Sequence, residues 1–206
     1  MMLFGEWVAK PETALVMDAS VVINLLATGW SKEILRAIPN SVLVVDTVRT
    51  ELENGRQRGR QESDHLDQLI SAKLVKVVDL GDVAEAVFEK LVIGPSQSTL
   101  DDGEAATIAF AVELGAAALI DERKAIRLCS TRFSRLLLDC SVGLLAHPNV
   151  FDRLGQESLS EAVFNALQFA RMRVLPEYAK WVVDLIGPER AASCPSLQRS
   201  LRMHNV

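Results

Sequence analysis

Four acidic positions in this chain stand where carboxylates could hold a metal ion. Asp18 closes the apolar run Ala14-Leu15-Val16-Met17 and is followed at once by Ala19-Ser20 and a helical-looking stretch. Glu51 lies in Val48-Arg49-Thr50-Glu51-Leu52, a third group spans Asp101-Asp102-Gly103-Glu104, and Asp121-Glu122 ends the apolar Ala118-Leu119-Ile120. A carboxylate at the point where a buried strand hands over to a helix sits at the carboxyl edge of a sheet, where open α/β proteins place their ligands. Carboxylates gathered on one rim repel and raise one another's pKa unless a cation neutralises them. Oxygen donors with no convergent His or Cys select a hard ion, Mg²⁺ or Mn²⁺, rather than zinc.

Each position also has an ordinary duty. Asp18 can N-cap a helix starting near Val21, and Glu51 can be a surface glutamate on a short amphipathic turn. Thr99 can cap the helix that follows, with Asp102 completing a capping box and the acids favoured by the helix dipole. Glu104 is explained less well, because it sits beside the apolar stripe of Ala105, Ile108, Ala109 and Val112. Asp121-Glu122 can cap a helix over Arg123 to Cys129. Their joint placement carries the argument, since strand ends in a parallel sheet face one rim. His65, His147 and His204 fall in a surface helix, a pre-proline turn and the tail, so none reads as a base or metal ligand. Neither GxGxxG nor GxxxxGK[ST] occurs, so nucleotide binding in those forms has no support.

The elements that must position these residues alternate. Strands are expected at Ala14–Met17, Val42–Val45, Val75–Leu80 and Ala117–Ile120, with a fifth at Leu136–Leu138. Helices are expected at Val21–Leu26, Ser31–Ile38, Thr47–Glu53 (ended by Asn54-Gly55), Glu62–Ala72, Asp82–Val92 and Leu100–Leu114. Strands separated by such helices imply right-handed crossovers and an α/β fold with a mainly parallel central sheet flanked by helices. Beyond Asn149 only helices are expected, over Ser158–Met172 and Glu177–Ile186. The chain thus divides into an α/β domain over 13–149, a C-terminal helical extension over 150–190 and a disordered tail over 191–206. In the extension, Ala162, Val163, Ala166, Leu167 and Ala170, with Trp181, Val182 and Leu185, suit packing in a dimer or on another protein; the alternative is that they cover the chain's own core.

The 206 residues, 49% of them hydrophobic, can bury a sizeable core. No run approaches the roughly 18 to 20 apolar residues of a membrane helix, and no signal peptide opens the chain, which reads as cytoplasmic without membrane association. Cys129, Cys140 and Cys194 form no CxxC pair and argue against a disulfide framework or structural zinc. A net charge of −5 and a pI near 5.3 argue against non-specific coating of nucleic acid. Local basic patches remain, at Arg56, Arg58 and Arg60 and, after the last acidic pair, at Arg123, Lys124, Arg127, Arg132 and Arg135. Eleven aromatics (seven Phe, three Trp, one Tyr) disfavour recognition of single strands by base stacking.

Met-Asp18-Ala-Ser20-Val-Val-Ile-Asn-Leu-Leu, Val-Arg-Thr-Glu51-Leu, Gly103-Glu104-Ala-Ala-Thr-Ile-Ala-Phe-Ala and Leu-Ile-Asp121-Glu122-Arg-Lys-Ala together resemble the PIN-domain ribonucleases. The likeness covers about residues 13 to 147. It is nearest to a nucleic-acid-binding branch with Gly-Glu-Ala and Asp-Asp/Glu-Arg motifs, related to the toxins of bacterial toxin-antitoxin modules. The resemblance implies metal-dependent hydrolysis of RNA phosphodiester bonds with one or two Mg²⁺ or Mn²⁺ ions. By position, Asp18, Glu51 and Glu104 would be core ligands and Asp121 or Glu122 the fourth acid; spacing from Glu104 in the toxin branch points to Glu122 and strand geometry to Asp121. Ser20 matches the small polar residue beside the first aspartate, and Asp102 would assist from behind the ligands. RNA would be gripped by Arg56, Arg58 and Arg60 and by Arg123 and Lys124, with an antitoxin protein or a second copy of the chain as partner. Glutamate at 104, where many toxins have aspartate, and the helical extension depart from the toxin pattern. A second reading keeps the fold without catalysis, as a binding or regulatory partner. A third, an aspartate-nucleophile phosphatase, lacks the second acid two residues beyond Asp18, where Ser20 stands.

Overall fold

The computed structural model describes residues 5–56, 59 and 61–197. Five strands, β1 (Leu15–Met17), β2 (Val42–Val45), β3 (Lys76–Val78), β4 (Ala117–Leu119) and β5 (Leu137–Asp139), form one parallel sheet in the order β3-β2-β1-β4-β5. From the middle strand β1 the chain moves out through β2 to β3, then returns to the far side of β1 for β4 and β5. The direction of winding therefore reverses between β1 and β4, and a crevice opens there at the carboxyl ends of the strands.

The pleat sorts side chains onto two faces, each buried under helices. Leu15, Met17, Val42, Val44, Ala117 and Leu119 share one core with α1 (Ala19–Ala27), α2 (Ser31–Ala37), α4 (Glu62–Ser71) and α8 (Ser141–Leu145). Val16, Leu43, Val45, Ala118 and Ile120 share the other with α5 (Asp82–Val92), α6 (Asp102–Leu114) and α7 (Arg123–Arg132). The alanines of α6 are buried well beyond the expected stripe, Ala106 and Ala111 included, so its backbone lies close to the sheet. The helix after β2, α3 (Asp46–Arg56), runs through the Asn54-Gly55 stop expected from sequence. Val48 and Leu52 bury its inner face, and the Arg49–Asp67 and Arg56–Asp64 ion pairs, each 3.3 Å, fasten it to α4. Tertiary contacts here outweigh weak helix propensity.

The C-terminal helices are α9 (Pro148–Phe169), broken at Gly155 where φ is 73°, α10 (Pro176–Ile186) and α11 (Pro188–Ala192). Leu159, Val163, Ala166 and Leu167 of α9, with Tyr178, Ala179 and Val182 of α10, belong to the same core as β1. The apolar faces that suited a partner helix therefore cover the chain's own core. Ala191, Cys194 and Leu197 are buried too, so packing runs into the segment expected to be a disordered tail; residues 198–206, with His204, lie outside the described residues. All three cysteines are buried free thiols. Among the described residues no helix is long and apolar enough to cross a membrane.

Asp139 ties the N-terminal segment and α10 to the sheet. Its buried carboxylate accepts hydrogen bonds from the Trp7 indole N–H (2.7 Å), the Tyr178 hydroxyl (2.9 Å) and the Cys140 N–H (2.8 Å). Any side chain at Gly143 would overlap this carboxylate. Asp139→Ala would strand three buried donors, each worth roughly 1–3 kcal/mol. It is expected to lower the unfolding free energy by about 3 kcal/mol in urea titration, and Tyr178→Phe by about 1 kcal/mol; a loss under about 1 kcal/mol for Asp139→Ala would show that the tie contributes little.

Candidate active site

Asp18 is the residue after β1, in extended backbone at the head of α1. Its Oδ2 accepts from the Ser20 N–H (3.3 Å) and the Ser20 hydroxyl (2.7 Å), so the capping duty occupies one oxygen. The other, Oδ1, faces α6. A Cβ built on Gly103 would lie 3.5 Å from this atom and 2.6 Å from Oε2 of Glu51. Two carboxylates from distant stretches thus meet over a bare turn of helix, which gives the glycine of Gly-Glu-Ala a steric reason. Asp121 stands beyond the end of β4. Its Oδ1 accepts from the Ser141 N–H (2.8 Å), and its Oδ2 from the Ser141 hydroxyl (2.5 Å) and the Asn24 amide (2.7 Å). The expected helix cap of α7 at this pair is not formed by a side chain: Glu122 stands at the N-cap without bonding the helix.

All five acids, Asp18, Glu51, Glu104, Asp121 and Glu122, line one cavity of about 310 Å³ together with Ser20. The cavity opens at the carboxyl edge of the sheet, where Asp18 and Asp121 flank the reversal between β1 and β4. Two expectations at the head of α6 need correction. Thr99 does not cap the helix; Asp101 occupies the N-cap without a side-chain bond to it, and lines the cavity. Asp102, expected behind the ligands, instead lines a neighbouring groove of about 790 Å³ that shares Glu51 and Asp101 with the cavity. The first turn of α6 aims consecutive side chains in different directions, and Asp101 rather than Asp102 points inward.

The crowding has an electrostatic cost. Burial, then the charges of Asp18 and Asp101, push Glu104 up to about 7. Burial pushes Asp121 up to about 6 despite its bonds to Ser141 and Asn24. Asp18 is raised as well, chiefly by burial. The donors are all oxygen, no His or Cys lines the cavity among the described residues, and negative charge is in excess, which is the chemistry a hard divalent cation neutralises. Among the described residues no three acids are drawn close enough to hold an ion as the side chains stand. Direct binding therefore requires the longer side chains of Glu51 and Glu104 to swing toward Asp18.

The basic residues divide. Lys124 donates to the Ser96 carbonyl (2.6 Å), and its charge lowers the pKa of Glu104, so it stands near the acids. Arg123 is half-buried and does not line the cavity, while Arg56 is exposed and paired with Asp64. Arg58 and Arg60 lie outside the described residues. Four lining or supporting residues went unread in the sequence. Ser141 and Asn24 orient Asp121, and Arg171 and Arg173, from the loop between α9 and α10, line the cavity. Arg173 forms an ion pair with Glu122, which separates Glu122 from the hydrogen-bonded Asp121. A signal for Ser141 was present: Leu138-Asp139-Cys140-Ser141-Val142 repeats the pattern of Met17-Asp18-Ala19-Ser20-Val21 at the end of another strand. His65 is exposed on α4, and His147 is buried, its Nδ1 accepting from the Asn149 N–H at the start of α9 (3.1 Å).

A family model described as a PIN domain matches residues 14–187, and the chain belongs to that family. The parallel sheet with helices on both faces is the nuclease-type fold of that family. The match runs through α9 and α10. Neither the curated proteins nor the solved structures include a match.

Gly103→Ala is expected to preserve or raise the melting temperature, because alanine gains up to about 1 kcal/mol of helix propensity and the clash falls on the mobile end of Glu51. The same substitution should shrink stabilisation by Mg²⁺; an undiminished Mg²⁺ response would show that Glu51 and Gly103 have no part in the site. A second expectation concerns pH in metal-free buffer. The pKa of Glu104 rises on folding from 4.5 to about 7, so its stability contribution is fully present below the lower value and lost as pH climbs to the upper. Glu104→Gln should therefore gain stability relative to wild type across that window. A constant difference between the two proteins would refute the crowding.

Proposed function

We propose that this protein is a Mg²⁺- or Mn²⁺-dependent endoribonuclease that hydrolyses RNA phosphodiester bonds at the acidic cavity. The observation that carries the reading is the convergence of Asp18, Glu51, Glu104, Asp121 and Glu122, from four separate elements or junctions, on one cavity at the winding reversal of a PIN-domain sheet. Asp18, Glu51 and Glu104 would hold the ion, which when bound supplies a polarised phosphoryl group and an acidified water for in-line attack. Ser20 fixes the rotamer of Asp18 through Oδ2 and leaves Oδ1 toward the cavity. Ser141 and Asn24 do the same for Asp121, whose oxygens are largely occupied, so it serves by shaping the charge of the site. Glu104, pushed up to about 7 by burial and its acidic neighbours, would be returned to its charged form by the ion it holds. No covalent intermediate is required of these residues.

From the relationship to toxins stated above we infer a cytoplasmic setting with an antitoxin partner. Such a partner, or a second copy of the chain, would dock away from the buried faces of α9 and α10. A second reading, binding without hydrolysis, draws support from the Arg173–Glu122 pair, an internal cation already set on the acidic rim.

Titration with Mg²⁺ and Mn²⁺ separates these readings when paired with an RNA cleavage assay. Ion at about 100 times its Kd is expected to stabilise the wild type by about 2.7 kcal/mol, and Asp18→Asn should lose both this response and cleavage. A metal response without cleavage of any RNA would support the binding reading, and absence of both would remove the metal site.

A further inference from the structure

An all-carboxylate cavity repels a polyanionic substrate, so a nucleic-acid phosphate approaching it needs a cationic group at the same place. Among the described residues that line the cavity, two are cationic, Arg171 and Arg173. Both come from the stretch that joins α9 to α10, and the backbone there is built to present them. Met172 and Val174 are each only 1% exposed, while Arg171 and Arg173 are exposed. Burial thus alternates along the stretch, with Met172 and Val174 sunk while Arg171 and Arg173 stand out at the cavity. The Met172 N–H also turns back to the Ala166 carbonyl (3.1 Å), fastening the loop to the end of α9.

The two arginines are in different states. Arg173 is paired with Glu122 across the mouth of the cavity. Arg171 makes no ion pair with any described residue. Its φ is 55°, in the left-handed region where glycine is at ease and an L side chain is not. A helix of this kind commonly ends on glycine, and here an arginine stands in its place. Lys73, at the end of α4, is the other non-glycine residue with a positive φ among those described, and it does not line this cavity. An outlying backbone conformation that delivers a guanidinium to a candidate active site is better explained by what the side chain binds than by the turn itself.

We propose that Arg171 is the substrate-phosphate contact of this site. Its guanidinium grips a phosphate of the RNA strand opposite the Asp18, Glu51 and Glu104 carboxylates, and Arg173, braced on Glu122, positions the loop. The planar donor fork suits two phosphate oxygens at once, and it places positive charge on the face of the phosphate away from the acids. The inference rests on the nuclease reading above for its substrate class. It gives the C-terminal helices a part in the site, since α9 and α10 hold the loop in place.

The test uses the full chain carrying Asp18→Asn, which blocks cleavage, and a short fluorescently labelled single-stranded RNA titrated at several salt concentrations. Arg171→Gly and Arg171→Gln are each expected to weaken binding by on the order of tenfold and to reduce the slope of log K against log salt by about 0.7, the loss of one phosphate contact. Arg171→Lys should keep the slope and recover part of the affinity. Arg171→Gly should melt no lower than its parent, because the strained turn is relieved, whereas a purely structural role for the arginine would leave binding unchanged. In the protein with Asp18 intact, the same replacements should raise KM for RNA. Unchanged affinity, slope and KM alongside cleavage by the wild type would overturn the proposal and leave the nuclease reading standing. Arg171-dependent binding with no cleavage by the wild type would do the reverse. RNA neither bound nor cleaved would overturn both.

Discussion

Mutual repulsion among carboxylates is the constraint around which the rest of this structure is arranged. Asp18, Glu104 and Asp121 are each pushed toward the neutral form by burial, and each feels a neighbouring carboxylate. A fold optimised for stability alone would separate them. Here the sheet order places the strand ends that carry Asp18 and Asp121 side by side, and Gly103 removes the side chain that would keep Glu51 from Asp18. Compensation is partial and local: Ser20 bonds Asp18, Ser141 and Asn24 bond Asp121, Arg173 pairs with Glu122, and Lys124 acts on Glu104. These contacts moderate the charge without cancelling it. The remaining field is what a divalent cation would satisfy, and it links the stability of the protein to the chemistry of its site.

The helices after Asn149 bear on the same constraint from two directions. Their apolar faces complete the core over one side of the sheet, and Asp139 joins Trp7 near one end of the chain to Tyr178 of α10. Because Met172 and Val174 are sunk in that core, the loop between α9 and α10 is held at the mouth of the cavity with its arginines outward. A region that reads in isolation as an appendage thus supplies positive charge where the α/β part has accumulated negative charge.

Much of this was legible residue by residue. The five strands fall within a residue or two of their expected positions, because each is a short apolar run bounded by turn-forming residues, and helices such as Asp82–Val92 carry clear periodicity. The parallel arrangement followed from crossover length. Boundaries were less secure where tertiary contacts override local preference: α3 passes through Asn54-Gly55 because Val48 and Leu52 anchor it, and Met172 leaves its helix at the turn occupied by Arg171. In the site, the five acids could be named from strand ends and motifs. Asn24 could not, since it lies 97 residues from the Asp121 it bonds, whereas Ser141, 20 residues from Asp121, carried a signal only in the repeated strand-end pattern.

By itself, then, the order of residues determined the alternation of strands and helices, the burial of the strands and the chemical type of the site, because these depend on local periodicity and on which side chains carry oxygen. Tertiary structure alone decided which oxygens face one another, that Asp101 rather than Asp102 turns inward, and that arginines from the far end of the chain stand over the acids. Those choices depend on distances between segments with no local signature, and they are set only when both faces of the sheet are packed.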